Sequence, residues 1–93
     1  MKFRSAVIEA MYRDVKDVLS SETQDLLKTF DNQVVAYLKV LEGNKFDFEL
    51  LSWHLRRLRT LELDILLQVE CDADGQTAHH VMDILKGDYH GRS

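Results

Sequence analysis

The chain has 93 residues, of which 45% are hydrophobic and 30% charged, and its formal net charge is −4. That length allows one domain, the balance excludes wholesale disorder, and the acidic sum disfavours non-specific attachment to nucleic acid or to anionic membranes. A chain this short buries only about two-thirds of its unfolded surface, so its core is thin and association is a common source of added stability.

The uncharged apolar stretches fall far short of a membrane span. The opening segment reaches Glu9 before any apolar core region forms, unlike a signal peptide. Cys71 is the single cysteine and permits no internal disulfide, which fits a reducing compartment and a cytoplasmic location. Proline is absent, so glycine and polar clusters mark the breaks.

The spacing predicts a first helix over 2–19. Its apolar stripe is Val7, Met11, Val15 and Val18, widened by Ile8, Tyr12 and Leu19. Glu9, Arg13 and Asp17 recur every fourth residue on the opposite, solvated face. The polar run 20–24 ends that helix, and Ser21 with Gln24 has the pattern of a capping box. A second helix should run to residue 41 or 42, with Leu27, Phe30, Val34, Tyr37, Leu38 and Leu41 as its stripe. Gly43 is then placed for the left-handed position after its end. The connection over 43–45 is short, so the second and third helices should be antiparallel neighbours. Asp47 should cap the third helix, with Phe46 stapled to Leu51, and that helix should reach residues 69–71. A turn at Asp72-Ala73-Asp74-Gly75 precedes a short fourth helix over 76–86, capped by Asp74 or Thr77, with Ala78, Val81, Met82 and Leu85 inward. The expected architecture is all-α, a small antiparallel bundle of about four helices, three long and one short and C-terminal. Residues 1–87 form a single helical domain and 88–93 a flexible tail.

The third helix has two apolar stripes where a surface helix needs one. The first is Phe48, Leu51, Leu55, Leu58, Ile65 and Val69, flanked by Leu66. The second is Trp53, Arg56, Thr60, Leu63 and Leu67, spaced three, four, three, four, the rhythm of a packed seam. His54, Arg57, Asp64 and Gln68, with Leu50 and Leu61, make up a mostly solvent-like remainder. Either the fourth helix folds back over the second stripe, or that stripe is an interface with a partner or a second copy. Tryptophan and arginine are enriched at such anchor points. Glu62 falls within the first stripe and must reach water, find a cationic partner, or serve as a functional carboxylate.

The remaining chemistry is sparse. His54, Arg56, Arg57 and Arg59 form the one basic cluster, but it lies between leucines in an acidic chain, and nucleic-acid readers are usually basic. Glu70, Asp72, Asp74 and Gly75 suggest a calcium loop, yet its twelfth position would be Val81, where a bidentate glutamate is needed. His79 and His80 are adjacent and cannot share a metal in the helical i, i+4 manner. Lys86-Gly87 lies too far beyond His80 for the histidine phosphotransfer pattern. Cys71 sits between Glu70 and Asp72, which disfavour a thiolate. No cofactor or metal is expected. The sequence favours a non-catalytic interaction or regulatory protein, self-associating or docking on a protein partner through Trp53, Arg56, Arg57, Thr60, Leu63 and Leu67. A small nucleic-acid-binding regulator using the basic cluster, and a helical enzyme with Glu62 and an arginine in an inter-helix cavity, are the rivals.

Overall fold

Four short polar residues, Ser5, Ser20, Asp47 and Asp74, each stand just before a helix. Each accepts a backbone N–H from three residues on: Ile8 at 3.3 Å, Thr23 at 3.3 Å, Leu50 at 3.0 Å and Thr77 at 2.6 Å. These bonds satisfy donors that the first helical turn leaves without partners. In the computed structural model, which describes residues 2–43 and 47–90, the helices they start are α1 (Ala6–Val15), α2 (Ser21–Glu42), α3 (Phe48–Asp72) and α4 (Gly75–His90). A single 3₁₀ turn, Lys16–Val18, closes α1. No strand occurs among the described residues, so the expected all-α bundle of four helices is present.

Long-range polar contacts fix the helix directions. Asp72, at the end of α3, accepts from Ser20 at the start of α2, and the Gln33 amide of α2 meets His54 of α3 at 2.5 Å. The two helices are therefore antiparallel. Ser5 at the start of α1 donates to Asp88 near the end of α4 at 2.7 Å, which sets α1 antiparallel to α4. Between them lies one core, built around Ile8, Leu27, Phe30, Val34, Leu58, Ile65, Val69, Val81, Leu85 and Tyr89.

Several boundaries and faces differ from expectation. The first helix begins at Ala6 rather than residue 2, because Asp31 holds the preceding backbone extended. Its carboxylate accepts the Arg4 and Ser5 N–H groups at 2.7 and 3.1 Å. Val7 and Val18, placed in the stripe, are exposed: the core-facing line is Ile8, Met11 and Tyr12, and the 3₁₀ turn rotates Val18 outward. Ser20, not Ser21, caps α2. Leu41 is exposed where the helix outruns the core. Gly43 has φ −65° and ψ 152°, an extended exit rather than a left-handed one, with its N–H bonded to Val40 at 3.2 Å. Phe46, the proposed staple, lies outside the described residues.

The largest correction is at the C-terminal end. The fourth helix continues through residues 88–90, expected to be loose, and buries Asp88 and Tyr89. Gly87 has no steric need to stop it, and an aromatic cluster pulls the next turn inward. The Tyr89 ring sits edge-on to Phe30 at 5.9 Å and to Tyr37 at 6.1 Å, which makes this residue part of the core rather than a tail.

Candidate functional site

The 25 residues of α3 are pinned at both ends. Asp47 caps its start. At its finish Asp72 accepts from the Ser20 N–H and hydroxyl, each at 2.9 Å, and from the Thr23 hydroxyl at 2.5 Å. The Thr23 hydroxyl, then the Ser20 backbone N–H, hold the Asp72 carboxyl below its ordinary range. The turn that suggested calcium is thus occupied in helix capping: Asp72 ties α3 to α2, and Asp74 starts α4, its pKa lowered chiefly by the Thr77 N–H.

The inward face of α3 is Leu58, Leu61, Ile65 and Val69, with Leu51, Leu55 and Leu66 half-buried. Leu61 and His54 belong to it, although the sequence put both in the solvent-like arc. The packing of α2 and α4 covers a wider sector of the helix than one stripe. Phe48 departs in the other direction: it is the first residue of the helix and is exposed. Glu62 also faces inward, at 6% exposure, and accepts a hydrogen bond from the Tyr89 hydroxyl. Burial, then the bond to Glu62, raises the Tyr89 pKa above the ordinary 10.0, so the phenol stays a donor. No ion pair joins Glu62 to Arg59 among the described residues, although their spacing allowed one. The sequence did not find the true partner because it lies 27 residues away, in a segment expected to be loose.

The outward face is the second stripe. Trp53, Leu63 and Leu67 are 54%, 56% and 55% exposed, and Arg56, Arg57 and Thr60 are exposed between them. All six predicted partner-binding residues therefore share one open surface, and α4 does not fold over it. Trp53, Arg56, Arg57 and Thr60 line a shallow hollow. The Trp53 ring stands nearly perpendicular to that of His54, at 5.1 Å, which anchors its base to the bundle. The Thr60 hydroxyl donates to the Arg56 carbonyl of its own helix at 3.0 Å, so its proton needs no partner on another molecule. Arg56 and Arg57 form no ion pair among the described residues. One residue of this face was missed. Asp64, assigned to the solvent-like arc, is exposed beside Leu63 and Leu67, and the signal was an opposite charge seven residues after Arg57.

His79, His80 and Cys71 are exposed, and no group of three His, Cys, Asp or Glu side chains is placed to hold a metal among the described residues. None of the described helices is long and apolar enough to cross a membrane. Comparison of the chain with protein-family models, with curated proteins and with solved structures finds no match.

Proposed function

We propose that this chain is a protein-interaction module that docks through the outward face of α3, acting as a regulatory or adaptor-like component without catalysis of its own. One observation carries the proposal: Trp53, Leu63 and Leu67 remain more than half exposed on a helix whose opposite side packs Leu58, Ile65 and Val69 into the core. Three large apolar side chains in line on a rigid helix lose contact with water when a partner covers them, and because each is already nearly half covered, covering the rest contributes about 1 kcal/mol apiece. Arg56 and Arg57 then supply charge-assisted bonds at the rim. Docking costs little ordering, because the caps and the Asp72 tie already hold the helix in place. The same lone exposed cysteine that suits a reducing compartment favours a cytoplasmic setting.

The rival roles draw less support. Arg56, Arg57 and Arg59 are exposed, but they share the helix with Trp53 and Leu63 on a chain of net charge −4, where a phosphate backbone would meet a broader basic surface in a nucleic-acid reader. Glu62 is engaged by Tyr89 in the core, the role of a structural carboxylate.

The test is capture on the immobilised chain, wild type beside Leu63→Asp, with thermal unfolding confirming that both are equally folded. Proteins retained by the wild type and lost from the variant support docking at this face. Retention of every bound protein by the variant overturns it.

A further inference from the structure

We infer that the occupant of the outward face is a second copy of this chain, docked α3 against α3 in antiparallel orientation about a two-fold axis at Thr60. This rests on the docking role proposed above and names its partner. The basis is a charge pattern that complements itself in one orientation only.

At about 100° per residue, Thr60 marks the midline of the exposed face. Arg57 and Asp64 then fall to one side of that line, and Arg56 and Leu63 to the other. Trp53 and Leu67 lie close to the line, each seven residues from Thr60. A two-fold axis relating antiparallel helices sets each side of the face against the same side of the second copy. Arg57 then meets Asp64 of the second copy, and Asp64 meets its Arg57, giving two ion pairs along one edge. Along the other edge the aliphatic stem of Arg56 lies on Leu63 of the second copy, and the reverse. Trp53 packs on Leu67 of the second copy at both ends, and Thr60, small and with its hydroxyl already bonded within its own helix, sits at the crossing where the backbones approach most closely.

A parallel pairing brings opposite sides together. It sets Arg56 beside Arg57 of the second copy, a like-charge contact repeated twice, and leaves Asp64 against Leu63. Within one chain neither Arg57 nor Asp64 has an ion-pair partner among the described residues, so both charges are available to a second molecule. The interface is isologous and closed, the commonest form of soluble assembly, and it hides from water Trp53, Leu63 and Leu67, which lie bare on this face.

Molar mass in solution, followed by sedimentation over a wide concentration range, tests the proposal. The wild type should be a dimer that dissociates on dilution, with Trp53, the one tryptophan, shielded from quencher in the dimer. Arg57→Asp and Asp64→Arg should each raise the dissociation constant at least tenfold. Mixing these two variants in equal amounts should restore dimers, because the mixed pair regains both opposite-charge contacts. Orientation is read by oxidation: Thr60→Cys in a Cys71→Ser chain should crosslink readily. Native Cys71 should not, since antiparallel copies hold the two Cys71 residues about 33 Å apart along the axes at about 1.5 Å rise per residue. A wild type that stays monomeric at every concentration overturns the second copy, and so does crosslinking through Cys71 but not through Thr60. Either result leaves docking at this face standing if Leu63→Asp still loses captured proteins, and loss of both results would remove the docking role as well.

Discussion

Both faces of α3 carry leucine at helical spacing, and the two sets differ completely in fate. Leu58, Ile65 and Val69 have no exposure at all, while Leu63 and Leu67 on the far side are more than half open. Both sets recur at helical spacing, so periodicity alone assigns them equal standing. What separates them is which neighbours can reach. The α2 helix covers one side of α3 from Asp72 back to His54, and α4 reaches Glu62 through Tyr89. None of the described helices covers the other side. An apolar stripe thus becomes core or open surface according to the supply of covering elements, not according to its own composition.

Substitution of one leucine from each face gives the largest contrast. Leu58→Ala, at a fully buried site, should lower the unfolding free energy by about 2–5 kcal/mol through lost burial and an unfilled cavity. Leu63→Ala should change it by about 0.5 kcal/mol or less, when read at a concentration low enough to keep the chain dissociated. Urea unfolding followed by far-ultraviolet circular dichroism measures both. Equal losses would place Leu63 under cover within its own chain.

The inner face also holds a charge-bearing group, and Tyr89→Phe probes it. The substitution keeps the ring against Phe30 and Tyr37 but removes the donor to Glu62, leaving a buried carboxylate oxygen without its bond. A loss of about 1–3 kcal/mol should follow. Alkali should show the same contact. The folded-state pKa of Tyr89 lies above the ordinary 10.0, so on passing that pH the unfolded chain releases the phenol proton while the folded chain keeps it. Stability should therefore be intact below that value and fall as pH rises beyond it. Tyr89→Phe should flatten the decline, and an unchanged slope would show that other groups cause it.

These inner contacts explain what was and was not legible in the sequence. Helix number, order and most of the inward stripes followed from spacing and caps, since Asp47, Asp74 and the alternation of apolar residues act locally. The outward stripe was legible for the same reason. The start of α1, the burial of His54 and Leu61, and the continuation of α4 were not. Asp31 shapes the backbone at Arg4 and Ser5, 27 and 26 residues before it, and Asp88 holds Ser5 from the far end of the chain. Such contacts leave no periodic trace. A segment reading Gly-Asp-Tyr-His looks like a tail until Glu62, Phe30 and Tyr37 are seen to surround its tyrosine.

A smaller effect is expected where α3 ends and is tied to α2. Asp72→Ala removes the acceptor of three hydrogen bonds from Ser20 and Thr23. Because the site is only half-buried and water replaces part of what is lost, the cost should be about 1 kcal/mol. The sign with pH is opposite to that of Tyr89. The folded-state pKa lies below the ordinary 3.8, so this contribution is present above that value and disappears as acid protonates the carboxylate. The wild type should lose more stability between neutral and acidic pH than Asp72→Ala, and parallel curves would remove Asp72 from the account.

Trp53→Ala gives the smallest change in stability and the sharpest comparison. A tryptophan truncated in a core costs about 3–5 kcal/mol. Here the indole is 54% exposed and stands nearly perpendicular to the His54 ring at 5.1 Å, so a loss of about 0.5 kcal/mol is expected. The same substitution should weaken self-association strongly, because in the antiparallel pair each indole packs on Leu67 of the other copy and both ends of the interface lose their largest side chain at once. A residue that matters little to its own fold and much to assembly belongs to the surface shared between molecules. If unfolding and association lost comparable free energy, Trp53 would instead be holding α3 to its own bundle through His54, and the distinction between the two faces would fail at this position.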